Sequence, residues 1–121
     1  MKLVTIQIVY PGEFTAEVVE RRADATSDNE ILEDVFAGWN HGSQRECKTF
    51  LNSRVRSLSV NDIVVVDGQP YQCAGMGWQP VSSSFVADLE SQVKSHPLFP
   101  EHGAWASLSQ IMWETSRKQT V

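Results

Sequence analysis

The chain has 121 residues, of which 41% are hydrophobic, 9% aromatic and 21% charged. That is enough for one globular domain with its own core, and it excludes a disulfide-dense scaffold, a collagen-like repeat and a long disordered chain. A net charge of -5 argues against a nucleic-acid binder that uses the whole domain surface, because phosphate contacts need a basic excess.

In chain order, Lys2 to Tyr10 alternates, with Val4, Ile6, Ile8 and Tyr10 on one face and Thr5, Gln7 and Val9 on the other. This predicts a half-buried strand. Pro11-Gly12 is a turn pair, and Phe14 to Glu20 reads as the returning strand of a hairpin. Ser27-Asp-Asn-Glu30 is a capping-box pattern, followed by Ile31, Leu32, Val35, Phe36 and Trp39 on one helical stripe. Gly42 is placed to stop that helix. Ser43-Gln-Arg-Glu46 repeats the capping pattern, and Cys47, Phe50 and Leu51 predict the inner face of a short second helix. Ser57 to Val60 and Ile63 to Val66 read as short β runs, and Asp67-Gly68 is a strong hairpin signal. Pro70 to Ala74 is the return strand, with a bend or bulge expected at Gly75 and Gly77. Phe85, Val86, Leu89 and Val93 predict a third helix ended by His96-Pro97. A fourth helix, Ala104 to Lys118, carries Trp105, Leu108, Ile111, Met112 and Trp113 over a broad apolar arc.

The expected fold is therefore a single α+β domain over residues 1–121. It has a small, mainly antiparallel sheet and about four helices in the order ββααββ(β)αα. A C-terminal helical segment covers residues 84–118. The predicted core is Ile31, Val35, Phe36, Trp39, Phe50, Leu58, Val64 and Val66. The opening alternates rather than running apolar like a secretory signal, and no stretch approaches the roughly 20 apolar residues of a membrane span. With only two cysteines, Cys47 and Cys73, the expectation is a cytoplasmic protein with reduced thiols and no membrane attachment.

Residues 31–81 resemble the YodL-like domain of small phage, plasmid and bacterial proteins. The resemblance rests on Leu32-Glu-Asp-Val-Phe-Ala-Gly-Trp-Asn40, a short basic spacer, and Arg56-Ser-Leu-Ser-Val-Asn-Asp-Ile-Val-Val-Val66. Tyr71, Cys73, Gly77 and Trp78 follow. It implies an accessory protein of a phage or other mobile element that acts on host or competitor machinery. It implies no catalytic chemistry.

The residues themselves give no catalytic or metal constellation. His41 and Cys47 lie six apart without a finger-like spacing, His96 and His102 fall in a Pro-containing loop, and Glu30, Glu33 and Asp34 suit the positive end of a helix. No cofactor is expected. The leading expectation is a non-enzymatic protein–protein interaction module. Trp105, Leu108, Met112 and Trp113 would contact an unidentified partner or a second copy, since aromatics and Met are enriched at interfaces. The alternative is a nucleic-acid-binding accessory protein using the basic segment 45–56, through Arg45, Lys48, Arg54 and Arg56.

Overall fold

The computed structural model describes residues 1–95. Five strands and three helices follow in chain order: β1 (Lys2–Tyr10), β2 (Phe14–Arg22), α1 (Asp28–Gly38), α2 (Lys48–Ser53), β3 (Ile63–Val66), β4 (Gln69–Ala74), β5 (Gly77–Pro80) and α3 (Ser83–Ser95). The strands form one sheet in the order β2-β1-β3-β4-β5, and every neighbouring pair is antiparallel. The fold is α+β. The predicted fourth helix, 104–118, lies outside the described residues.

β1 lies inside the sheet, between β2 and β3, and both of its faces are apolar near its end. Val4, Ile6, Ile8 and Tyr10 point to one side, where Ile31, Leu32, Val35 and Trp39 from α1 and Phe50 from α2 close over them. Val9 points to the other side and meets Ile63 of β3 and Leu89 and Val93 of α3. From Leu3 to Ile8 the strand keeps the half-buried alternation expected for β1, and only Val9 departs from it, buried on the second face. All of the predicted core is buried except Phe36, which is half-buried and meets Trp78 edge-on at 6.3 Å.

Two turns fix the register. At Asp67-Gly68 both residues have positive φ, 47° and 87°, which suits a two-residue hairpin between twisted strands. Asp67 also prolongs the β1–β3 ladder, since its N–H donates to the Thr5 carbonyl and its Oδ1 accepts the Thr5 N–H, both at 2.8 Å. Gly12, at φ +75°, lies so close to α3 that a Cβ there would stand 2.8 Å from Val93 Cγ1. Only glycine allows that turn and that packing together.

The Ser27 cap holds: its Oγ accepts the Glu30 N–H at 3.2 Å. Four other expectations are corrected. The helix ends at Gly38 and Trp39 rather than at Gly42, because Asn40 Nδ2 donates to the Phe36 carbonyl and Cys47 N–H to the Gly38 carbonyl. The second capping pattern caps a turn, not a helix. Glu46 Oε1 accepts the N–H groups of Gly42 and Gln44, while Ser43 Oγ donates to the Ala37 carbonyl. The Gly75 region does not bulge but turns completely, so that Ala74 pairs with Gly77 and a fifth strand runs back. Leu51 and Phe85, expected on inner helix faces, are exposed.

Candidate functional site

The segment Arg56 to Asp62 forms a loop, not the predicted β run at 57–60. Asn61 takes a positive φ of 83°, and its N–H donates to the Cys73 carbonyl at 2.8 Å. Asp62 is 0% exposed. Its carboxylate accepts Arg56 Nη1 at 2.6 Å, Arg56 Nη2 at 2.9 Å and the Ser59 N–H at 2.9 Å. The Arg56 guanidinium stacks on the Tyr10 ring at 4.6 Å, and the Tyr10 hydroxyl donates to the Arg56 carbonyl at 2.7 Å. Burial works against the guanidinium charge, but the bonds and field of Asp62 more than offset it and raise the Arg56 pKa. Burial, with Asp62 nearby, likewise pushes the Tyr10 hydroxyl well above its usual range. The loop is therefore a closed, charge-neutral clasp that ties the 55–62 segment to β1.

That geometry divides the four basic residues. Arg56 is turned inward onto Asp62. Arg45 is exposed but pairs with Asp34 at 3.2 Å. Lys48 and Arg54 are exposed, with Arg54 in the left-handed conformation that ends α2. Of the four basic residues named for the nucleic-acid alternative, three are thus exposed, and Arg56 is half-buried on Asp62.

His41 and Cys47 share no hydrogen bond among the described residues. The His41 ring lies 4.5 Å from Phe50, and its Nε2 is 3.2 Å from the Val55 carbonyl. Cys47 is half-buried, and Cys73 is buried, with its thiol pushed up to about 11 by burial. Among the described residues, no group of three or more His, Cys, Asp or Glu could hold a metal ion. Asp28, in the first turn of α1, accepts the Tyr71 hydroxyl at 2.6 Å. That bond raises the Tyr71 pKa.

A cleft of about 180 Å³ opens between the β1–β2 ribbon and α1, lined by Ile6, Ile8, Val18, Val35 and Trp39 together with Cys47 and Thr49. Its charged wall is already paired: Arg22 binds Asp34 at 2.6 Å and Glu20 at 2.7 Å. The Arg22 hydrogen bond holds the Asp34 carboxyl below its usual range and raises the Arg22 pKa in return. The volume is below the roughly 300–1,000 Å³ of small-molecule sites. It suits a single apolar side chain.

The opposite sheet face is covered unevenly. α3 packs over Val9 and Ile63, but Leu3 and Val19 stay 65% and 57% exposed. They are diagonal neighbours, because Leu3 pairs with Arg21 and Thr5 with Val19. Sequence reasoning missed both, although Val19 stands in a position where alternation sets a side chain toward solvent. Trp105, Leu108, Met112 and Trp113 lie outside the described residues. No helix among the described residues is long and apolar enough to cross a membrane. No protein-family model, curated protein or solved structure matches the chain.

Proposed function

We propose that this protein is a non-enzymatic protein–protein interaction module. The observation that carries the reading is the bare end of the second sheet face, where Leu3 and Val19 present adjacent apolar side chains to solvent. Exposed apolar side chains grouped on a rigid sheet are a common basis for protein contact. The segment 104–118, with Trp105, Leu108, Met112 and Trp113, supplies a second proposed contact, for a partner or a second copy. The YodL-like resemblance supports a role as an accessory protein of a phage or other mobile element, acting on host or competitor machinery. A cytoplasmic location fits two free cysteines.

The nucleic-acid alternative draws less support, because Arg45 and Arg56 are engaged by Asp34 and Asp62. The deciding experiment is affinity capture from the host cell with wild type and with the Leu3→Ser/Val19→Ser variant. Loss of the captured protein from a folded variant supports the proposed surface. Undiminished capture by the variant refutes it.

A further inference from the structure

β2 ends the sheet, and among the described residues no strand pairs with its outer side. Which of its backbone groups face outward follows from β1. Thr5 turns both its N–H and its C=O toward Asp67, on the β3 side. In an antiparallel ladder these directions alternate along the strand. Val4 and Ile6 therefore face β2, opposite Glu20 and Val18. The same alternation in β2 directs the N–H and C=O of Glu17, Val19 and Arg21 away from the sheet. The side chains of these three residues are all exposed. Among the described residues Glu17 meets only the Gln7 amide, at 3.4 Å. Arg21 has no hydrogen bond or ion pair among the described residues.

We propose that β2 pairs antiparallel with β2 of a second copy of this chain, about a two-fold axis at Val19. The proposal rests on the interaction-module reading and names its partner. It uses the backbone edge rather than the apolar face. With the axis at Val19, Val19 meets its own counterpart, and Glu17 stands opposite Arg21 of the second copy on both sides of the axis. Each of these pairs has its backbone groups directed outward, so each exchanges both N–H···O bonds. Val18 then stands opposite Glu20, and Ala16 opposite Arg22, so no like charges meet directly. An axis at Glu17 or at Arg21 would set like charges against each other, and an axis at Val18 would form no ion pair. The sequence Glu17-Val18-Val19-Glu20-Arg21 is thus self-complementary in one register. An edge strand otherwise left open is a site for such pairing, and symmetric dimers are the commonest assemblies.

The test is charge reversal in the full chain, followed by sedimentation equilibrium. Glu17→Arg sets two arginines against each other at each symmetric pair, and Arg21→Glu sets two glutamates against each other there. Either change should weaken the dimer by about tenfold or more, since both symmetric pairs pass from attraction to repulsion. In an equimolar mixture of the two variants, both symmetric positions of the mixed dimer set an arginine of one copy against a glutamate of the other, so mixing should rescue the dimer as a heterodimer. The double variant Glu17→Arg/Arg21→Glu restores opposite charges at both pairs and should recover it. Circular dichroism checks that these exposed substitutions leave the fold intact. As a second reading of the register, Val19→Cys should cross-link to a covalent dimer under mild oxidation. A hydrogen-bonded antiparallel pair holds its Cα atoms about 5.5 Å apart, within disulfide range.

A wild type that stays monomeric at all concentrations overturns the proposal, as it would if the chain's own residues 96–121 occupied this edge. A dimer that survives both single reversals also overturns it and moves the contact elsewhere. Leu3 and Val19 are untouched in the charge variants, so failure here is distinguishable from failure of partner capture.

Discussion

Removing one partner of the Arg56–Asp62 clasp should destabilise the fold far more than removing both. In Asp62→Ala the guanidinium, with only about a quarter of its side chain exposed, keeps just Glu13 at 3.7 Å as a counter-charge. The Ser59 N–H loses its acceptor as well. Breaking a buried pair from one side costs about 3–5 kcal/mol, a large share of the roughly 5–15 kcal/mol that holds a small domain folded. Arg56→Ala should cost a similar amount, because it strands a fully buried carboxylate and removes the stacking on Tyr10. The double variant Arg56→Met/Asp62→Leu leaves no uncompensated charge, so its loss should be smaller than the sum of the two singles by about 2 kcal/mol or more. Urea unfolding followed by far-ultraviolet circular dichroism gives the four stabilities, and the cycle gives the coupling. Single variants within about 0.5 kcal/mol of wild type, or losses that simply add, would show that the clasp does not hold the loop.

Phe50→Ala should cost about 3–5 kcal/mol, because Phe50 is fully buried under Trp39, whereas half-buried Phe36→Ala should cost visibly less; equal midpoints in urea would contradict the packing. Arg22 holds Asp34 below its usual pKa, so the stability it adds is present above the ordinary carboxylate range and is lost as pH falls through the folded value. With Asp34 partly exposed the effect should be under about 1 kcal/mol, and Asp34→Asn should flatten the acid limb of the stability curve below about pH 4. A thiol reagent at pH 8 should label Cys47 first and leave Cys73, whose thiol is pushed up to about 11, silent until the protein unfolds; equal labelling rates would contradict its burial. Gel shifts with random duplex and single strands should show no micromolar binding at physiological salt; salt-sensitive binding abolished by Lys48→Ala/Arg54→Ala would reverse that expectation.

The elements that periodicity and local turn chemistry control were legible. Alternation marked β1 and β2, Asp67-Gly68 marked the β3–β4 hairpin, and Ser27 with Glu30 marked the start of α1. The errors arise where a residue's partner is distant or of another type. Leu58 and Val60 keep a strand's period, but the backbone between Arg56 and Asp62 must curl to bring guanidinium to carboxylate. Ser43 and Glu46 carry a helix-cap pattern, yet the same acceptors serve a turn when the following residues have somewhere else to bond. Arg45, Lys48, Arg54 and Arg56 form a basic island in sequence. Acids from α1 and from the residue just before β3 neutralise two of them in space.

The surface features depend on topology in a deeper way. Alternation can say that Leu3, Val19, Glu17 and Arg21 share one face, but not whether that face is covered. That depends on α3, whose seat is fixed by the absence of a side chain at Gly12, where Val93 approaches. Because α3 rests over Val9 and Ile63, none of the described residues covers Leu3 and Val19 at the far half of the ribbon. Because β1 pairs with β3 on its other side, β2 is left as an edge among the described residues. Only then does the symmetric spacing of Glu17 and Arg21 about Val19 become a pairing code rather than a pair of solvated charges.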